Sequence, residues 1–145
     1  MDFETKIRKI EEKDFEFIHK SLCELANENL NPNIFKKIFD ENIKNPNNLY
    51  LIAENEENKI GFITFHCQNL LHHCGIVGEI QEFYIVSKFR GKGIGRKLTQ
   101  KIFEFAEKNN LKSIEVTTGK KRIENIAVYE NLGFNLSHNK FTIYK

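Results

Sequence analysis

Ile85-Val86-Ser87-Lys88-Phe89-Arg90-Gly91-Lys92-Gly93-Ile94-Gly95 decides how this chain is read, because three alternate glycines stand between a strand-like run and a helix-like one. Upstream, Gly78 to Val86 is rich in branched and aromatic residues, as strands are. Downstream, Ile94, Leu98, Ile102, Phe105 and Ala106 recur at the 3.6-residue period of a helix with one apolar face. A glycine-rich turn that opens a helix is an anion site. First-turn N–H groups lack intrahelical partners and carry partial positive charge, and glycines let the backbone approach phosphate oxygens without Cβ clashes. Arg90 and Lys92 can add charge-assisted contacts. The spacing excludes two familiar glycine loops. A dinucleotide fingerprint needs glycine where Arg96 stands, and a P-loop needs Lys and then Ser or Thr after its last glycine. A mere tight turn would need one glycine, not three in alternation.

The remaining segments fit one α/β domain spanning residues 1–145. Phe3 to Ile10 alternates as a first strand, and Asp14 is placed to cap a helix whose apolar face is Phe15, Ile18, Leu22 and Leu25. The Asn-rich stretch Asn27 to Asn33, with Pro32, ends that helix. A second helix follows through Ile34, Phe35, Ile38 and Phe39 and ends near Pro46. Leu49–Ala53 and Lys59–Phe65 are strands joined by the polar connection Glu54 to Asn58. Lys112 to Thr118 reads as another strand, Lys121 to Leu132 as a helix closed by Gly133, and Asn135 to Lys145 as final strand material. The expected order is β-α-α-β-β-β-α-β-α-β.

Composition narrows the function classes. The chain is 40% hydrophobic and 29% charged, an ordinary globular balance, and its thirteen Phe with no Trp point to a phenylalanine-rich core. A net charge of +2, with Lys and Arg interspersed among Glu, argues against a nucleic-acid partner. No apolar run reaches the ~20 residues of a membrane span, and Met1-Asp2-Phe3-Glu4-Thr5 lacks the segments of a leader. Cys23, Cys67 and Cys74 form no C-x-x-C pair, so free thiols in the cytoplasm are expected. Assembly as a homodimer is left open.

The glycine loop resembles the R-x-x-G-x-G acetyl-CoA motif of the GNAT N-acetyltransferase superfamily. One strand and one helix further on, Tyr129-Glu130-Asn131-Leu132-Gly133-Phe134 is similar to the Y-x-x-x-G-F segment that closes GNAT domains. Leu71-His72-His73, Gly78 to Glu82, Lys121-Arg122, Ser137-His138 and Phe141-Thr142 also resemble the branch that acetylates aminoalkylphosphonates. That resemblance covers roughly residues 62–142. Arg122, seven residues before the tyrosine, agrees with the phosphonate branch; Asn125, four before it, does not. The resemblance implies a mostly antiparallel sheet flanked by helices, with strands splayed at the cofactor cleft. It also implies acetyl-CoA as cosubstrate. Its contacts are then expected at Phe83, Tyr84 and Ile85, at Arg90 to Arg96 and at Asn125.

Acetyl transfer from a thioester to an amine sets three chemical requirements. An alkylamine with a pKa around 10.4 is mostly protonated at neutrality, and freeing it costs about 4–5 kcal/mol. A carboxylate can take that proton directly or through water. A backbone N–H must face the developing oxyanion, and the departing thiolate benefits from a proton donor. By the resemblance, Tyr129 is the general acid and a backbone N–H of the strand before the loop polarises the carbonyl. Glu79 holds the position of the base in histone-type members. Glu82 is the alternative; three residues on, it faces the other side of a regular strand, so both can face one cleft only if a bulge intervenes.

The acceptor should be a small-molecule primary amine, an aminoalkylphosphonate being one candidate; a protein lysine or N-terminus, an aminoglycoside-type amine, or a non-catalytic acyl-CoA-binding module are alternatives. His66-Cys67 and His72-His73-Cys74 do not match structural zinc spacing, so no metal site is expected. One of these histidines can instead line the substrate pocket, as an imidazolium against a phosphonate or through a bridging divalent ion. His72, His73, Thr117, Thr118, Ser137 and His138 are the substrate-side candidates. Lys120, Lys121 and Arg122 can meet a CoA phosphate or a substrate anion, or simply lead into a helix.

Overall fold

The computed structural model describes residues 4–145. Residue Phe3, where the first strand was expected to begin, lies outside the described residues. The elements in chain order are β1 (Lys6–Lys9), α1 (Phe15–Ala26), α2 (Pro32–Lys44), β2 (Asn48–Glu54), β3 (Lys59–Leu70), β4 (Gly75–Ile85), α3 (Ile94–Lys108), β5 (Ser113–Val116) and α4 (Glu124–Asn131). The strands form one sheet in the order β1-β2-β3-β4-β5, antiparallel except for the parallel pair β4–β5. The element order implied one α/β domain, and the resemblance implied this mostly antiparallel sheet flanked by helices.

The sheet separates two apolar layers. On one face Leu49, Leu51, Ile63, Phe65 and Ile80 pack with Ile94, Leu98 and Ile102 of α3. On the other, Ile52 and Phe62 pack with Ile18 of α1 and Phe39 of α2. Pro32 does not merely interrupt: it opens α2, where a missing N–H costs nothing. Asn31 caps that helix by accepting from the N–H groups of Asn33 and Ile34.

Asp14 precedes α1, but its side chain makes no cap bond to that helix. The carboxylate, fully buried, instead accepts from both terminal nitrogens of Arg8 at 2.8 and 2.9 Å, from Lys59 at 2.9 Å and from the Glu11 N–H at 2.8 Å. Arg8 also grips Glu54, so β1, β2, β3 and the entry to α1 share one charged junction.

The expected last strand is absent. Asn135 to Lys145 carries no regular structure, and Leu136, Phe141, Ile143 and Tyr144 stand 73%, 93%, 87% and 92% exposed. Alternating apolar residues supply the propensity for a strand, but a strand also needs an edge to pair with, and this segment takes none on its own sheet.

Candidate active site

Two irregularities of β4 build the site. The first is a bulge. Thr64 pairs with Glu82 and Phe65 with Ile80, leaving Gln81 as the extra residue. Glu79 pairs with His66, and His66 and Thr64 lie two apart on β3 and so share a face. The bulge thus brings Glu79 and Glu82 to the same side of the sheet, which a regular strand would not. The second is a splay. The β4–β5 ladder ends at Ile80–Val116, while β4 continues to Ile85 on β3 alone. Val86 donates its N–H to Ile60. By strand alternation the N–H groups of Ile85 and Phe83 point away from β3 into the gap, and that of Tyr84 points towards β3.

On the α1/α2 face, a cleft of about 350 Å³ opens beside the bulge. Ile18, Leu22 and Phe39 form its apolar wall, and Asn42, Tyr50, His66 and Glu82 its polar side. Asn42 Nδ2 donates to the Tyr50 oxygen at 3.0 Å, which leaves the hydroxyl proton for His66 Nε2 at 2.6 Å. Burial, with a contribution from the Glu82 charge, pushes the Tyr50 phenol up to about 12 against the opposing Asn42 bond. Thr64 donates its hydroxyl to the Glu82 carboxylate and accepts the Glu82 backbone N–H at 2.9 Å. Glu79 is not part of the cleft lining; its carboxylate accepts from Gln81 Nε2 at 2.9 Å on the exposed side.

At the loop, Gly91 and Gly93 have φ of 75° and 80°, and a Cβ on either would meet no atom within 4 Å. Glycine is required there for its left-handed backbone, and the approach is open. Gly93 occupies the N-cap of α3 without any side-chain cap bond, and no acidic residue sits in the first turn. Arg96 and Lys97 stand there instead, the reverse of what the helix dipole favours in the absence of an anion. Arg90 folds back: its Nε donates to the Ile85 carbonyl at 2.8 Å and its guanidinium lies 5.7 Å over the Tyr84 ring. Arg96 reaches the Asn131 carbonyl at 3.3 Å, joining the loop to the end of α4.

Tyr129, on α4, is half-buried, with its ring set edge-on to Phe134 at 6.0 Å. Burial raises its phenol above the ordinary value, partly offset by Arg122. Asn125 donates from Nδ2 to Thr118 Oγ1 at 3.1 Å, tying α4 to the chain just beyond β5. Thr117 next to it is exposed. Arg122 reaches the Leu25 carbonyl at the end of α1 at 3.4 Å.

The other candidates fall elsewhere. His72 and His73 sit in the turn between β3 and β4, their rings 4.3 Å apart, and neither lines the cleft. Ser137 and His138 contact each other on the exposed C-terminal segment. Of the sequence's histidine cluster it is His66 that reaches the cleft. Tyr50, Asn42 and Thr64 were not singled out by the sequence, since only strand register and helix docking bring them to Glu82. Among the described residues no cluster of three or more His, Cys, Asp or Glu could hold a metal ion, and no helix is long and apolar enough to cross a membrane. Cys23, Cys67 and Cys74 are free thiols.

The chain resembles known proteins in sequence and in fold. The sequence profile of the Acetyltransferase (GNAT) family matches residues 6–134. An aminoalkylphosphonate N-acetyltransferase from Salmonella typhimurium is 31% identical over 137 residues, covering 94% of this chain and 89% of that protein. A protein from Bacillus halodurans described as a transcriptional regulator superposes with a TM-score of 0.90 at 27% identity, over 98% of this chain and 100% of that one. An aminoglycoside N-acetyltransferase solved in complex with CoA shares the fold, with a TM-score of 0.86 at 15% identity over 100% and 97% of the two chains.

Proposed function

Because the chain belongs to the GNAT acetyltransferase family, and is an acetyl-CoA-dependent N-acetyltransferase acting on amines, we propose that it acetylates the primary amine of a small molecule carrying an anionic group, of the aminoalkylphosphonate class. The observation that carries this reading is the β4 bulge, which puts Glu82 into an apolar-walled cleft on the strand whose outer edge at Phe83 and Ile85 is unpaired.

The residues fit the cosubstrate. The open, left-handed Gly91 and Gly93, with the uncapped first turn of α3, suit a pyrophosphate, and the free edge of β4 suits an amide-bearing arm. When bound, acetyl-CoA supplies the thioester carbonyl that the amine attacks. Glu82, fixed by Thr64, takes a proton from the ammonium directly or through water. An outward N–H of Phe83 or Ile85 donates to the carbonyl oxygen as negative charge builds there. As the C–S bond breaks and the C–N bond forms, Tyr129 gives its proton to the departing sulfur, and the nitrogen sheds its second proton through water to restore the phenol. The raised phenol is protonated for that task. Glu79, on the same strand but outside the cleft lining, is the alternative base.

The anionic end of the substrate has a partner in Arg122, held at the end of α1 and close enough to Tyr129 to perturb its phenol. The Salmonella relative supports that substrate class. Thiol release from acetyl-CoA, measured against short aminoalkylphosphonates, an aminoglycoside and a lysine peptide, tests the reading. Phosphonate amines should turn over with the largest kcat/KM, and Arg122→Gln should lower it for them far more than for uncharged alkylamines. Equal turnover of all acceptors would remove the anion from the proposal, and no turnover of any would leave only cofactor binding.

A further inference from the structure

We propose that His66 determines which amines the cleft accepts: its ring, locked in one tautomer, donates from Nδ1 to an oxygen that the substrate carries a few bonds from its amine. This role rests on the cleft beside Glu82 being where the amine binds. Two hydrogen bonds in a row fix the ring. Asn42 Nδ2 donates to the Tyr50 oxygen at 3.0 Å, and that oxygen lies 2.6 Å from His66 Nε2. Were Nε2 protonated, two donors would meet at one phenol oxygen and the Tyr50 proton would have no acceptor. With Nε2 accepting, the Tyr50 proton is used, and the proton of the neutral imidazole sits on Nδ1. Among the described residues Nδ1 has no partner, and the Ser113 hydroxyl is the one buried side-chain atom left unpaired. Nδ1 therefore reaches open space, and the space that His66 borders is the cleft.

The other lining donors are already engaged. Thr64 gives its hydroxyl proton to Glu82, Gln81 Nε2 donates to Glu79 at 2.9 Å, and Asn42 and Tyr50 belong to the chain that ends on His66. No Lys or Arg lines the cleft, and Ile18, Leu22 and Phe39 offer a polar atom nothing. An oxygen entering here exchanges its water for the Nδ1–H. An amine without that oxygen leaves the donor dry and unpaired, which is how a polar group in an apolar site discriminates. The spacing suits a short substrate. Glu82 pairs with Thr64, and His66 stands two residues along β3 on the same face, about 7 Å away. An ammonium at Glu82 and an ether, hydroxyl or phosphonyl oxygen two carbons from it can reach both groups.

The test compares 2-methoxyethylamine with butylamine, which match in length and differ in one acceptor oxygen. Their kcat/KM ratio is read in the parent, in His66→Gln and in His66→Asn, so the difference in basicity cancels. Asn carries an amide nitrogen where Nδ1 stands, and Gln carries one where Nε2 stands. The ratio should fall about 3–10-fold in His66→Gln, the net worth of one neutral hydrogen bond. The loss should lie in the KM for the ether amine, and His66→Asn should keep the ratio. Nitrogen-15 spectra of the labelled parent should show the His66 proton on Nδ1, and that signal should shift with the ether amine and not with butylamine. A ratio unchanged in His66→Gln, a ratio lost equally in both variants, or a proton on Nε2 would overturn the role of His66 alone. A parent that turns over neither these amines nor any other would remove the acceptor site, and this role with it.

Discussion

Thr64 and Glu82 hold each other twice: the Thr64 hydroxyl donates to the Glu82 carboxylate and accepts the Glu82 backbone N–H, at 2.9 Å. Thr64 is only 3% exposed, so this pair fixes both the bulge and the carboxylate's direction from within the sheet. If Glu82 is the base, Glu82→Gln should lower kcat with the amine about 10²–10³-fold, the usual worth of a positioned general base. Glu79→Gln should change it a few-fold at most. Thr64→Val should lower kcat less than Glu82→Gln while leaving the KM for acetyl-CoA unchanged. Steady-state thiol release at saturating acetyl-CoA checks all three; the reverse order for the two glutamates would assign the base to Glu79.

Tyr129 should matter in proportion to its proton. Tyr129→Phe keeps the ring packed on Phe134 and removes only the donor, so kcat should fall about 10²-fold with acetyl-CoA binding intact. Burial raises the phenol and Arg122 partly offsets it. A donor must be protonated, so a raised value carries activity to higher pH. The alkaline limb of the kcat profile should therefore lie above the ordinary tyrosine value of about 10 and be missing in the variant. A profile identical in both proteins would exclude the role.

The Asp14 junction gives the fold an acid limit. Burial alone would raise this carboxyl, but Arg8, the Glu11 N–H and Lys59 outweigh it and hold it well below the usual carboxylate range. Glu54, also on Arg8, is lowered too. A depressed folded-state value means stability that is present above the unfolded-state value of about 4 and lost as pH falls below it. Urea midpoints should stay level from pH 7 to about 5 and then drop. Asp14→Asn leaves Arg8 and Lys59 short of a buried counter-charge and should cost about 3–5 kcal/mol at pH 7, with a shallower drop below pH 5.

Local signals carried much of the fold, and the reason shows in particular elements. The α3 stripe from Ile94 to Ala106 and the left-handed Gly91 and Gly93 are set by neighbours in sequence, so period and residue type revealed them. The carboxylate geometry depended on one inserted residue, Gln81, which inverts the face of everything before it. No periodicity distinguishes that insertion from a regular strand. Tyr50 and His66 are sixteen residues apart and meet only because β2 and β3 pair in one register. Asp14 had the residue type and place of a cap, yet a partly buried Arg8 outcompeted the helix N–H groups for it. The C-terminal segment had the alternation of a strand, but alternation does not supply an edge to pair with, and no strand of the sheet takes it up.

Tyr50 offers a way to separate acceptor recognition from the chemical step. Its hydroxyl bridges Asn42 and His66 at 3.0 and 2.6 Å in the cleft wall, and its phenol, pushed up to about 12, stays protonated at any working pH. Tyr50→Phe would leave a partly buried imidazole nitrogen and an amide without their partner, which loosens the polar side of the cleft and leaves the glycine loop untouched. The expected result is a several-fold higher KM for the amine, an unchanged KM for acetyl-CoA, and a kcat within about threefold of the parent, since a wall interaction made equally in ground and transition states alters binding and not turnover. A fall confined to kcat would place Tyr50 in proton transfer instead, and Tyr129 would then have to share that role.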